Sequence, residues 1–231
     1  MNLGHSLNIG KNSPAPVYSL KLNGSTQYAT IDTVAGDIDT ANGTYSAWVK
    51  FDSTSTTGTI IKSSVNSSNH ITLAYGGSAN EMLFIYKAGG TAKKVEHSVT
   101  VEGTGSWVHL AMTWNTSEDE LKAYINGSQV GGTVGSLGTW SGTIDKSYIG
   151  RNTLSSGDFL DGNISEVAIF EDVVSISALY NGGNPVDISG LSDLIGYWKM
   201  KEGTGTAIAD SSGERNTGTL INTPTWETIA P

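Results

Sequence analysis

The chain of 231 residues contains no cysteine, so neither a disulfide nor a thiolate metal site can form. Basic residues are also scarce: 13 Lys and Arg stand against 22 Asp and Glu, which gives a net charge of −9 at pH 7. The positive charge that neutralises phosphates is therefore largely missing, and we expect no nucleic-acid partner. No apolar run approaches the roughly 18 residues of a membrane-spanning helix, and we expect no membrane span.

The first 16 residues lack the charged start and the apolar core of a secretion signal. The simplest interpretation is a chain made in a cytosol without secretion. Pro14 and Pro16 cannot donate a hydrogen bond to a sheet ladder. We therefore predict an extended N-terminal arm over residues 1–16 and a single domain over residues 17–231.

Charged residues make up 15% of the chain and hydrophobic residues 37%, and there are 29 glycines. A helical bundle needs far more charged and long aliphatic residues, and a disordered chain has fewer apolar ones. The composition instead favours short strands joined by turns. Segments whose apolar residues alternate predict five strands: Tyr45–Phe51, Glu81–Lys87, Trp107–Trp114, Leu121–Ile125 and Asn163–Phe170.

Two Asn-Gly pairs, at residues 23–24 and 126–127, follow alternating segments. Both predict tight hairpins, because a type I′ turn needs positive φ at its two central residues. One short helix is predicted over residues 176–181, with Ser175 as its N-cap and Gly182 in the left-handed conformation after it.

In their order along the chain, these segments resemble the laminin-G-like, concanavalin-A-like jelly-roll family over roughly residues 17–227. The resemblance is carried by Tyr18–Gly24, Tyr28–Ile31, Tyr45–Phe51, Trp107–Trp114, Leu121–Gly127, Tyr148–Gly150, Phe159–Phe170 and Leu179–Gly183. It implies an all-β fold, a two-sheet antiparallel jelly-roll sandwich with one short helix.

The segment at residues 194–220 departs from this pattern, because in many relatives it precedes the first hairpin and here it closes the chain. It either begins a truncated second repeat or makes the first and last strands neighbours in one closed sandwich. We favour the second interpretation, since the termini of a domain often lie close together.

Glycosidases of similar fold carry carboxylates at alternating positions of one strand, about 5–5.5 Å apart. The sequence has no such run. Glu118-Asp119-Glu120 places neighbours on opposite faces and is predicted to form a turn, and Asp37 and Asp39 lack a third carboxylate. Nucleophile-elbow and phosphate-loop motifs are also missing. We predict no catalytic residues and no enzyme activity.

The four histidines, His5, His70, His97 and His109, lack the short spacing of a zinc-ligand pair. His109 lies inside a predicted strand at a position where the family often has histidine. We expect it to have a structural role, forming hydrogen bonds with neighbouring loops.

A calcium site is a better candidate, because seven acidic and no basic residues lie between Arg151 and Lys199. Calcium prefers oxygen ligands in flexible loops. The resemblance implies one structural calcium, with Asp210 as the best-matching ligand and Asp161 and Glu166 as weaker candidates. The alternative is an ordinary acidic surface on which Asp210 forms an Asx turn.

Two tryptophans are candidate ligand contacts, because saccharide sites use aromatic faces. Trp140 lies in a loop of small residues, and Trp48 alternates away from the apolar face of its strand. The alternative for Trp140 is a loop residue folded onto the sandwich. Trp114 continues an apolar face and is predicted to be core.

These features favour a non-enzymatic structural or decoration protein of a virus particle, in the head or tail of a bacteriophage. The end-of-chain arrangement is similar to that of single-module phage structural proteins. In this interpretation the arm and sheet edges bind neighbouring virion proteins or copies of the same chain, and the loops bind host glycans. The alternative is a carbohydrate-binding or adhesion module of a secreted, extracellular protein.

Overall fold

Antiparallel strands account for most of the computed structural model, which describes residues 17–76, 81–98 and 105–231. The predicted arm lies outside these residues. The strands form two sheets that enclose one hydrophobic core, and one short α-helix lies outside them. The predicted all-β jelly-roll sandwich is thus confirmed. No helix among the described residues is long and apolar enough to cross a membrane.

The strands are numbered in chain order. They are β1 (Ser19–Asn23), β2 (Tyr28–Thr30), β3 (Asn42–Phe51), β4 (Gly58–Asn66), β5 (Asn69–Gly76), β6 (Glu81–Ala88), β7 (Thr91–Ser98), β8 (Val108–Asn115), β9 (Glu120–Ile125), β10 (Ser128–Val134), β11 (Lys146–Ile149), β12 (Asp161–Phe170), β13 (Leu194–Trp198), β14 (Ala207–Ile208), β15 (Gly218–Ile221) and β16 (Thr225–Glu227). Two 3-10 segments span Asp32–Asp37 and Asn181–Gly183. The five strands predicted from alternation correspond to β3, β6, β8, β9 and β12.

The first sheet has the order β10-β9-β8-β3-β12-β1-β16, and β13 also pairs with β12. The second sheet has the order β14-β15-β2-β11-β4-β5-β6-β7. Alternate residues of each strand face the core between the sheets, as the pleat requires. The opposite faces are the outer faces of the sandwich.

A buried polar chain links the two sheets through the core. The Tyr45 hydroxyl of β3 donates to Ser63 Oγ of β4 at 2.7 Å, and Ser63 Oγ lies 2.7 Å from Ser147 Oγ of β11. The Tyr45 ring packs edge-on against Trp114 at 5.0 Å. Trp114 is fully buried, which confirms its predicted place in the core.

The two Asn-Gly pairs have different roles. Asn126 and Gly127 have φ of 48° and 77° and join β9 to β10 in a two-residue hairpin, as predicted. The hairpin predicted at Asn23-Gly24 is wrong, because β1 and β2 belong to different sheets. There the chain crosses the sandwich, and Asn23 Oδ1 accepts three backbone N–H bonds at 3.0–3.2 Å from residues 25–27.

The predicted helix is confirmed as α1 (Ile176–Tyr180). Asn181 and Gly182 both follow it with positive φ, at 45° and 63°, and end the helix. Ile176 and Leu179 pack against Phe170 and Tyr197 in a second, smaller apolar cluster. The helix therefore covers part of the outer face of the first sheet.

The last strands complete both sheets. Strand β16 pairs with β1, with Leu20 opposite Trp226, and β15 pairs with β2, with Ala29 opposite Leu220. The first and last strands are thus neighbours in one closed sandwich, which is the arrangement that the sequence favoured over a truncated repeat.

A close backbone approach at the start of β12 gives a test of this packing. Gly162 has φ of +150°, and a Cβ at this position would lie 2.2 Å from the Lys50 carbonyl oxygen. We expect Gly162→Ala to lower the free energy of unfolding by at least about 2 kcal/mol in urea denaturation. The control is Gly190→Ala, where a Cβ meets no atom within 4 Å. Equal stability of the two variants would contradict the packing described here.

Candidate functional site

Trp48 does not lie at a surface where a ligand could reach it. Its exposed fraction is 4%. The Tyr180 ring at the end of α1 stacks on it at 5.9 Å, and the His109 ring lies 5.2 Å away. The sequence showed correctly that Trp48 points away from the core, but the helix covers that outer face. The expected ligand contact at Trp48 is therefore not supported.

His109 is fully buried beside Trp48. Its Nε2 lies 2.9 Å from Ser46 Oγ on the neighbouring strand, and within the described chain its Nδ1 has no hydrogen-bond partner. Burial lowers the pKa of His109 to about 4. Its backbone N–H donates to Asn126 Oδ1 at 2.9 Å and so anchors the β9–β10 turn.

Trp140 is half-buried in the loop between β10 and β11. Its Nε1 donates to the Gly142 carbonyl oxygen at 2.9 Å, and its ring packs on Tyr86 at 5.6 Å. This geometry matches a loop residue folded onto the sandwich. Part of the ring is still accessible, and a ligand contact at Trp140 stays a prediction.

Asp210 is held in an Asx turn. Its carboxylate accepts backbone N–H bonds from Ser212 at 2.9 Å, Asn216 at 2.8 Å and Tyr197 at 2.9 Å, and a 2.7 Å bond from the Ser212 hydroxyl. Both oxygens are thus occupied by donors that fix the loop between β14 and β15 to β13. This is the alternative that the sequence left open for Asp210.

The other two candidate calcium ligands, Asp161 and Glu166, lie on β12. Glu166 is 6% exposed, accepts a hydrogen bond from the Tyr197 hydroxyl and lies 2.5 Å from Lys201 Nζ. Asp161 is five residues away, where burial raises its pKa and Lys21 opposes that shift. Among the described residues no three His, Asp or Glu side chains form a metal-binding group. The three candidates therefore do not form one calcium site in this arrangement, and calcium binding by the chain stays a prediction.

A cleft of about 560 Å³ opens at one end of the sandwich. Three loops form it: those between β1 and β2, between β3 and β4, and between β11 and β12. Its lining is rich in hydroxyl groups and contains one aromatic ring: Gly24, Ser25, Ser55, Thr56, Thr57, Ser156, Gly157, Asp158 and Phe159.

Three half-buried aromatic rings surround an arginine next to this cleft. The Arg151 guanidinium carbon lies 4.8 Å from the centre of the Tyr28 ring, 5.5 Å from Phe159 and 5.9 Å from Tyr148. We call these four residues the aromatic–arginine cluster. Phe159 belongs to both the cluster and the cleft lining, so the two form one continuous surface.

Asp158 is fixed at the boundary between cleft and cluster. Its side chain accepts a 2.7 Å bond from Asn152 Nδ2, and its carbonyl oxygen accepts a 2.9 Å bond from the Thr59 N–H. It adopts a left-handed φ of 56°. This surface was not predicted from the sequence, because its residues are dispersed between positions 24 and 159 and share no periodicity.

The family comparison covers most of this fold. Residues 23–178 match the family model described as Concanavalin A-like lectin/glucanases superfamily. The chain belongs to this superfamily. The matched segment spans β2 to β12 and includes the cleft and the aromatic–arginine cluster. A search of curated proteins gives no match to this chain.

Solved structures share the fold of this superfamily member at low identity. A candidate carbohydrate-binding protein of Bacteroides ovatus superimposes with a TM-score of 0.68 at 21% identity, covering 93% of this chain and 60% of its own. The Ruminococcus gnavus sialidase CBM40 bound to α2,3-sialyllactose gives 0.59 at 15% identity, with 72% and 96% covered. A heptameric Limulus polyphemus pentraxin gives 0.57 at 14% identity, with 89% and 95% covered.

These relatives bear on the two function hypotheses. None of the proteins named above is a virion protein, so the predicted similarity to phage structural proteins gains no support. Two of them are described as carbohydrate-binding. The alternative interpretation from the sequence, a carbohydrate-binding module, is therefore better supported than the main one.

The buried His109 makes the stability of the fold pH-dependent. Its pKa is lower in the folded chain, so the unfolded chain binds the extra proton as the pH falls below about 6.5 and stability is lost. At pH 5 the cost is about 2 kcal/mol. We expect His109→Gln to lose about that much less stability than the wild type between pH 7 and pH 5 in urea titrations. His97→Gln is the control, and an equal effect there would refute the assignment to His109.

Proposed function

We propose that the protein is a non-enzymatic carbohydrate-binding module that acts outside the cell. The observation that carries the proposal is the cleft lined with hydroxyl groups that continues into the aromatic–arginine cluster. The virion interpretation has no comparable support.

The surface offers both kinds of contact that a sugar needs. The parts of the Tyr28, Tyr148 and Phe159 rings that Arg151 leaves uncovered can pack against the apolar C–H face of a pyranose ring. The hydroxyls of residues 55–57 and 156 can exchange hydrogen bonds with the hydroxyls of the sugar. Because the Arg151 guanidinium is stacked among the rings, the aromatic side chains are held in place before a ligand arrives.

The charges at the surface support binding without hydrolysis. Glycoside hydrolysis in most families uses two carboxyl groups on opposite sides of the scissile bond. Among the described residues that line the cleft, Asp158 is the one carboxylate. Its side chain is bonded to Asn152. The B. ovatus structure is that of a candidate carbohydrate-binding protein and the R. gnavus CBM40 is bound to α2,3-sialyllactose, which supports this proposal.

A glycan array tests the proposal directly. The array presents xylan, mannan, β-glucan and β-galactoside oligosaccharides next to uronic-acid and sulfated ones. We expect the full chain to bind a discrete set of them. Phe159→Ala removes the ring shared by cleft and cluster, and we expect a loss of affinity of roughly five- to twelvefold for the best binder by calorimetry, as a lost stacking contact of about 1–1.5 kcal/mol predicts.

Trp140→Ala is the matched comparison, because Trp140 is also a half-buried ring in a loop. If Phe159→Ala binds normally and Trp140→Ala does not, the site lies at Trp140 and the cleft assignment is wrong. If the wild-type chain binds nothing on the array, the carbohydrate-binding function itself is wrong.

A further inference from the structure

Three basic side chains lie together on the outer face of the second sheet. Lys62 of β4, His70 of β5 and Lys87 of β6 occupy neighbouring strands, and His70 is directly opposite Lys87. Lys62 is opposite Tyr148 of the aromatic–arginine cluster. The three residues, which we call the basic patch, therefore adjoin the proposed carbohydrate surface.

Lys62 is the unusual member of the basic patch. It is 6% exposed, and lysine is almost never buried to this degree without a partner. Within residues 17–76, 81–98 and 105–231, no hydrogen bond or ion pair involves its ammonium group. Burial lowers the pKa of Lys62 to about 8, while the charge of Asp158 opposes the shift. Burial thus disfavours the charged form of Lys62, and within the described residues its charge has no ion-pair partner.

Of the two neighbours of Lys62 in the basic patch, Lys87 adds positive charge and His70 does not. Burial and then the charges of Lys62 and Lys87 lower the pKa of His70 to about 3, so the imidazole is neutral at pH 7. Its Nδ1 lies 3.0 Å from Thr72 Oγ1. Lys87 is half-buried, and in the described part of the chain it also has no ion pair. The ammonium groups of Lys62 and Lys87 therefore lie on the same outer face of the second sheet, and neither has an ion-pair partner among the described residues.

We propose that Lys62 and Lys87 bind the anionic group, a carboxylate or a sulfate, of an acidic saccharide whose neutral rings occupy the cleft and the aromatic–arginine cluster. The inference rests on the proposed carbohydrate-binding function and names its ligand class. An anionic oxygen supplies the charge-assisted hydrogen bonds that the buried ammonium group lacks. The patch is a local exception in a chain of net charge −9, so the rest of the surface repels an acidic ligand and the patch attracts it.

A matched pair of ligands tests the inference. The probes are a glucuronic-acid-containing oligosaccharide and its carboxyl-reduced, neutral form, each titrated into the full chain by calorimetry. We expect the acidic form to bind at least tenfold more tightly. In Lys62→Met we expect this preference to disappear, while the affinity for the neutral form stays within twofold of wild type. A sulfated oligosaccharide of the same backbone shows which of the two anions is preferred.

The melting temperature of Lys62→Met separates a loss of charge from a loss of folding. This variant removes a buried charge without a partner, so its melting temperature is expected to be no lower than that of the wild type. Two further variants test the location of the patch. Lys87→Met changes a half-buried position and is expected to weaken acidic binding in the same sense. Lys50→Met is the control, because Lys50 is also half-buried but lies on the first sheet.

The outcomes distinguish this inference from the proposed function. Equal affinity of the wild type for the acidic and neutral forms would overturn the inference and leave carbohydrate binding intact. An acidic preference that survives in both Lys62→Met and Lys87→Met would overturn the basic patch as its origin. Failure to bind any oligosaccharide, on the array or in solution, would overturn both proposals.

Discussion

The long strand β12 joins the two ends of the chain into one sheet, and the rest of the sandwich depends on it. Its first half pairs with β1 on one side, with Leu20 opposite Ile164, and its second half pairs with β13, with Tyr197 opposite Ala168. Strand β3 pairs along its other side. A register shift between Ser165 and Ala168 marks the change of partner, and Glu166 there adopts a left-handed φ of 51°. A bulge of this kind bends a strand and redirects its pairing.

The position of β12 also determines where the loops gather. It begins directly after the loop that carries Arg151, Asp158 and Phe159, and its first residues pair with the ends of β1 and β3. The loops that follow β1 and β3 are therefore brought to the same end of the sandwich as the β11–β12 loop. The cleft and the aromatic–arginine cluster are a consequence of this topology. In antiparallel sandwiches, loops at one end commonly carry binding residues on a rigid scaffold.

The two outer faces of the sandwich have different chemistry. On the first sheet the outer face is apolar around Ala168 and Phe170, and α1 covers it with Ile176 and Leu179. On the second sheet the outer face carries Lys62, whose burial without a partner costs stability. A protein retains such a group when function requires it. The basic patch therefore supports the assignment of the adjoining cleft and aromatic–arginine cluster as the ligand site.

The sequence determined the all-β class, five of the alternating strands, the short helix and the core position of Trp114, because each depends on residues that are close along the chain. It also suggested that the chain ends are neighbours, since the terminal segments resemble strands of one sandwich. The choice between a hairpin and a sheet crossing at Asn23-Gly24 was decided by the tertiary structure, because the same pair of residues fits both conformations. Tertiary structure also buried Trp48 beneath Tyr180, engaged Asp210 in an Asx turn and gathered Tyr28, Tyr148, Arg151 and Phe159 around one site. Alternation shows which way a side chain points, whereas its exposure and its neighbours depend on segments more than a hundred residues away in the chain.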